Sequence, residues 1–264
     1  MGEKSSILCV RETPSIYWLD YWVVIWFSDF PESFLYLNDT IMLQEIPLLK
    51  EDMTPEHFAL CKKAKKEFIK QIGPLTDLPL VRAVHKQADE YNDLWLEFNE
   101  VACGSRCAAC CHQLVPCITL EMENIVAYVS GMSRKGQRTL KKKVGKKALK
   151  FYKKTERLFE SEENWDKVRK GIEEDNYGNP CPFLNSKKRC SIYPVRPMIC
   201  RAARSRIKCG QGIEPEPVRI VSDYVALEIL QEEEKKVHTE MQLVPLTMWP
   251  ASAEFGEFFM EGIL

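Results

Sequence analysis

Apolar residues Leu80, Val81, Val84, Ala88, Tyr91, Leu94, Trp95 and Phe98 recur three and four positions apart, the spacing that lines one face of an α-helix. The stretch from Asp77 to about residue 100 therefore reads as an amphipathic helix running almost into Cys103. Thr54, Pro55 and Glu56 mark an earlier helix start, because Thr accepts from free backbone N–H groups and Pro is tolerated in a first turn; Gly73 and Pro74 end it. Further on, Thr119 reads as the cap of a third helix through Ile125 and Val129 to Gly131, and a fourth covers Leu140 to Phe159. Residues 176–217, broken by Gly, Asn and Pro, read as irregular loop. Val218 to Val221 reads as a short strand, and helical spacing resumes from Asp223 to Met241.

The pattern predicts a mainly α protein, a small helical scaffold around an irregular cysteine-rich loop region. Its expected parts are an N-terminal extension (1–52), a helical domain (53–241) and a C-terminal tail (242–264). The most apolar run of the extension, Ile16 to Phe27, is interrupted by Asp20 and is shorter than the roughly 18 residues of a spanning helix, so it reads as buried strand or short helix. The extension's odd composition also admits a start at Met42, which mass spectrometry of the native amino terminus would settle. Met1-Gly2 with Ser6 fits a myristoylation pattern that occurs often by chance.

At 264 residues, 45% hydrophobic and 28% charged, the chain has the composition of a globular protein. Its 37 Lys and Arg nearly balance 38 Asp and Glu, which argues against global attraction to nucleic acid or acidic membranes. The exception is local: Arg134 to Arg157 holds twelve Lys or Arg and one acid, Glu156. Those charges are spread around most of a helix and are followed by an acidic stretch, so a solvated helix is favoured over a nucleic-acid surface. A protein partner for that helix is the other expectation.

Eleven cysteines are too few for a disulfide miniprotein and too many for core filler. Without a recognisable secretory signal, a reducing cytoplasm is the expected location. Cys103, Cys107, Cys110 and Cys111 fall within nine residues, and Cys181, Cys190, Cys200 and Cys209 follow at near-regular gaps. Such spacings aim paired sulfurs at one ion while a distant loop completes its coordination, so metal is expected. Thiolate suits zinc and iron alike, leaving zinc sites and an iron–sulfur cluster both open. Adjacent Cys110 and Cys111 diverge, so they serve two centres or only one of them ligates. His112 is a candidate ligand or a donor to sulfur. Cys9 and Cys61 read as core cysteines, and Cys117 as core or a spare ligand.

The segments CGSRCAACCHQLVPCITLEMENIVAYV and CPFLNSKKRCSIYPVRPMICR resemble the bacterial YkgJ-type cysteine cluster proteins, a family of zinc- or iron-chelating domains with eight characteristic cysteines. The resemblance covers about residues 95–210 and takes in the vicinal pair with His112, Thr119 and Glu121, and the blocks around Cys181, Cys190 and Arg196 to Arg201. It implies that the eight clustered cysteines bind the metal. His112, Tyr193, Arg196 and Arg201 are expected to support them, the guanidinium groups by offsetting thiolate charge. Three residues rather than two separate Cys103 from Cys107, and Cys209 lies nearer Cys200 than in many relatives. A distant relative, the flagellin lysine methylase, implies that some members support protein modification, so an enzyme of that kind is the alternative function. The Cys103, Cys107, Cys110 spacing is also similar to that of radical S-adenosylmethionine enzymes. No barrel-like alternation of strands and helices follows it, and Ala109 stands where an aromatic is usual, which disfavours that reading.

Overall fold

A computed structural model describes residues 40–47, 50–103, 107–113, 115–161, 167, 179–209, 215–238, 244–246, 255, 258 and 259. Cys9 and the run Ile16 to Phe27 lie outside them. Helix α1 spans Pro55–Ile72 and begins as its sequence predicts. Thr54 Oγ1 accepts from the His57 amide, and the His57 ring accepts from the Thr54 amide, a reciprocal cap with His in the place usually held by Glu. Gly73 ends the helix at φ 76°, a left-handed conformation that side chains resist, with its amide on the Ile69 carbonyl.

Helix α2, Asp77–Phe98, buries Leu80, Val81, Val84, Ala88, Tyr91 and Trp95. Helix α3 is Thr119–Ser130, α4 is Arg134–Ser161, α5 is the short Met198–Ala202, and α6 is Val221–Val237. Two strands, β1 (Pro116–Cys117) and β2 (Val244–Pro245), pair antiparallel. The mainly α expectation holds, with local differences: α5 lies inside the stretch read as irregular loop, and α6 ends at Val237 rather than Met241. Val218 to Val221 forms no strand: Ile220 makes an isolated bridge to Glu45, and Val221 already opens α6. The fourth helix starts at Arg134 rather than Leu140.

One core joins α1, α2 and α6 through Phe68, Val84, Ala88, Val225 and Ile229, with Met42 sealed against them. A second joins α3 and α4 to the cysteine loop through Ile125, Val129, Val144, Phe183 and Ile192, closed by Leu246, Phe255 and Phe259. Helix α3 sends Leu120 into the first core and Met122 into the second, so it positions the cysteine region against the scaffold.

Two successive acids of α6 seat the starts of other helices. Glu233 accepts from the Asp77 amide at 3.1 Å, where α2 starts on a residue of φ 52°. Glu234, fully buried, accepts from Thr119 N at 3.1 Å and Leu120 N at 2.9 Å. The cap expected of Thr119 is therefore supplied from 115 residues away, and Thr119 itself is the first helical residue. An anion on the free N–H groups of a helix start meets the positive end of its dipole. Glu234→Ala is expected to cost about 2 kcal/mol in chemical denaturation, against a much smaller loss for Thr119→Ala, whose side chain does not cap. Farther from the cysteines, Asp223 and Arg204 form a buried ion pair, and burial lowers the neighbouring Arg219 guanidinium to about 10.

Candidate metal centre

The first cysteine cluster sits on a tight turn. The amides of Cys111, His112 and Gln113 bond to the carbonyls of Ala108, Ala109 and Cys110, winding Cys110–His112 into one 3-10 turn. A backbone bond, Cys181 N to Cys111 O at 2.6 Å, fastens this turn to the second cluster. A second bond, Ala102 N to Ser205 O at 2.9 Å, joins the start of the first cluster to the chain between Cys200 and Cys209.

Between Cys181 and Cys190 the chain forms a knuckle. Asn185 Oδ1 accepts from the Lys187 and Arg189 amides, Ser191 N donates to Phe183 O, and Leu184 bridges Cys190. This folding turns backbone N–H groups toward sulfur: Phe183 and Leu184 donate to Cys181, and Ile192 donates to Cys190. Ser205 likewise donates to Cys103. Such donors favour the thiolate over the thiol.

The thiols fall into two neighbourhoods. Cys200 feels the charges of Cys181, Cys110 and Cys190, while Cys103 feels those of Cys107, Cys209 and Cys110. Cys110 is common to both, and it hydrogen-bonds Cys111 thiol to thiol. The vicinal pair therefore stands at the junction. Burial is the main cause raising Cys103 and Cys190, lifts Cys181 to about 11, and pushes Cys200 well above the ordinary thiol value. Cys110 is raised chiefly by its bond to Cys111 and then by burial. In these surroundings a thiolate needs a cation beside it, which a soft metal ion supplies. The donor set and its N–H partners suit zinc or iron bound through sulfur. Among the described residues no three Cys, His, Asp or Glu side chains already stand at metal-holding separations, so binding would draw the sulfurs inward from where the turns place them.

The supporting residues occupy definite places. The His112 Nδ1–H donates to the Ala108 carbonyl at 2.9 Å rather than to sulfur, which leaves Nε2 with its lone pair. Arg201 spends its guanidinium on the Arg196 carbonyl at 3.0 Å, the Pro194 carbonyl at 2.7 Å and the Asp89 carboxylate, so it ties the loop before α5 to α2. Arg196 reaches Asp89 at 3.3 Å and lies 3.8 Å over the exposed Tyr193 ring. Both guanidinium groups lower the Cys190 thiol. Cys61 is buried in the first core and pushed up to about 12, and Cys117 is fully buried in β1.

Two side chains of the basic helix escaped the sequence reading. Lys143 donates to the Leu184 carbonyl and Lys147 to the Pro180 carbonyl at 3.1 Å, so two residues of the basic helix grip the cysteine knuckle. Lys147 also lowers Cys181 electrostatically. Glu121, which the resemblance takes in, is buried: it accepts from Met198 N at 2.6 Å and Ile118 N at 3.5 Å and meets His85 Nε2 at 3.2 Å. It thereby anchors the start of α5, which carries Cys200.

His85 gives the site's scaffold a pH dependence. Burial, the largest cause, holds its imidazole below the ordinary histidine value despite Glu121. The unfolded chain then takes up the proton first, so stability falls as pH drops below about 6.5, the unfolded value, toward the lower folded one. His85→Gln is expected to flatten the fall in denaturation midpoint between about pH 7.5 and 5.5. An unchanged slope would contradict this assignment.

No helix among the described residues is long and apolar enough to cross a membrane. No curated protein and no solved structure matches the chain. Residues 102–217, which take in all eight clustered cysteines, match the family described as "CxxCxxCC: Putative zinc- or iron-chelating domain".

Proposed function

We propose that the protein binds metal through its eight clustered cysteines, in two groups that meet at the vicinal pair. Cys110, Cys181, Cys190 and Cys200 form one group; Cys103, Cys107 and Cys209 form the other, with Cys111 as its fourth sulfur. The observation that carries this reading is the second cluster's knuckle, where backbone N–H groups face Cys181 and Cys190 while Cys200 and Cys110 lie in electrostatic range. His112, Tyr193, Arg196 and Arg201 orient the loops and offset thiolate charge. Bound as zinc, the metal would staple two loops that have little regular structure of their own; as an iron–sulfur cluster it would add electron transfer.

Two further parts of the proposal follow from the chemistry. None of the ten described cysteines is disulfide-bonded, which fits a reducing cytoplasm. The exposed lysines of α4 would meet a protein partner, since Lys143 and Lys147 are already used on the knuckle. X-ray absorption at the bound metal's edge tests the ligand set. Sulfur at about 2.3 Å in all four positions of each centre is expected, and mainly nitrogen or oxygen neighbours would refute it.

A further inference from the structure

Packing sorts the cations of α4. Lys141, Lys143 and Lys147 are half-buried and engaged: Lys141 Nζ lies 3.7 Å over the Phe258 ring, Lys143 donates to the Leu184 carbonyl, and Lys147 donates to the Pro180 carbonyl. The exposed cations that remain include Lys135, Arg138, Lys142, Lys146, Lys150 and Lys153. These six recur three and four positions apart, which places them within about a third of the helix circumference, in one row roughly 27 Å long. The charge that the sequence spreads around most of the helix is thus narrowed to a stripe. It lies opposite the buried Leu140, Val144 and Ala148.

The row is uncompensated. Among the described residues none of its six side chains makes an ion pair or a hydrogen bond, whereas Lys65 on α1 and Lys86 on α2 each meet a glutamate. Like charges three and four apart on a helix repel, and an anion laid along the row would remove that repulsion. Leu149, half-buried and in neither core among the described residues, falls within the same stripe. It adds an apolar spot to a cationic surface.

These features select among anionic partners. A membrane surface is disfavoured because the apolar face of α4 is already sealed in the protein, leaving none to insert. For nucleic acid, the row lacks a stacking platform: among the described side chains of α4 the aromatic one, Phe151, is buried. The chain's net charge of −1 also gives no wider field to hold a long polyanion. An amphipathic acidic helix fits both the cations and Leu149. Two helices share one rise per residue, so carboxylates at the same spacing meet the cations one for one.

We propose that this row docks an acidic helix of a partner protein, with Glu or Asp three and four positions apart along one face and an apolar residue against Leu149. The inference rests on the reading of the exposed α4 lysines as a partner surface and is independent of the bound metal.

The test is fluorescence anisotropy of the full metal-loaded chain with three labelled probes. One is an Ala-rich peptide of roughly 20 residues carrying six Glu at the row's spacing and a Leu among them. The second has the same composition with its Glu spread around the helix, and the third is an oligothymidylate of about 12 nucleotides. The patterned peptide is expected to bind at least tenfold more tightly than either other probe. Lys142→Glu, Lys146→Glu and Lys150→Glu together are expected to weaken it at least tenfold. The same charge change at the exposed Lys62, Lys63 and Lys66 of α1 is expected to alter it less than twofold. Metal content and unfolding midpoint are read on each variant, and the Lys→Gln triple at 142, 146 and 150 carries the test if the Glu triple does not fold. Equal binding of the two peptides, or binding that the α4 triple leaves unchanged, would overturn the acidic helix while leaving a protein partner standing. Tighter binding of the oligothymidylate, or no binding of either peptide, would overturn both.

Discussion

Cys200→Ser is expected to empty one of two metal centres and to lower the unfolding midpoint by about 10 °C, which corresponds to about 4 kcal/mol for a chain of this size. Cys200 lies in the middle of the short helix α5, and its charge neighbours are Cys181, Cys110 and Cys190. A hydroxyl there cannot replace the soft thiolate, and three sulfurs lose their common counter-ion. Because metal binding and ordering of the loops are one free-energy change, stability falls with occupancy. Cys61→Ala is the control. It removes a buried thiol in the core between α1 and its neighbours, and is expected to keep full metal content with a loss of about 1 kcal/mol. Metal analysis and thermal melts of both variants decide the matter, and equal metal content in the two would defeat the assignment.

Replacing Glu121 by Ala is expected to cost about 3–5 kcal/mol, the largest effect of any change outside the cysteines. Its carboxylate is buried and serves three donors: the Met198 amide, the Ile118 amide and the His85 ring. Truncation strands all three where water does not reach, each at about 1–3 kcal/mol. The damage would also spread to the metal, since the freed Met198 amide starts the helix that presents Cys200. Accelerated metal transfer to a chromophoric chelator is therefore expected along with the lower denaturation midpoint. Glu121→Gln, which keeps one acceptor oxygen, should recover part of both. A stable Glu121→Ala chain with unaltered transfer kinetics would show that Glu121 only decorates a helix start.

What the sequence made legible was local. Thr54, Pro55 and Gly73 carry their own instructions for where α1 begins and ends, and eight apolar positions at helical spacing give α2 almost to the residue. Thr119 shows the limit, because the anion that satisfies its amide belongs to Glu234, a residue that no local pattern connects to it. The site divides the same way. Cysteine spacing and family resemblance marked the eight sulfurs, and the match over residues 102–217 agrees with that region. Nothing in the lysine-rich run told Lys143 and Lys147 from their neighbours, since only packing against the second core turns them onto the knuckle. His85 carried a faint signal: it falls between the buried Val84 and Ala88, so a polar ring enters an otherwise apolar face. Its partner Glu121 had an ordinary explanation as an acid in a first helical turn, and that concealed the pair.

The central claim, that the clustered cysteines hold metal, is tested most directly by purifying the full chain without oxygen and quantifying zinc, iron and acid-labile sulfide per chain beside a visible spectrum. About two zinc ions on a colourless protein, or iron with matching sulfide and a broad band near 400 nm, is the predicted result. A folded chain that carries neither metal and whose eight clustered thiols all react freely would contradict it.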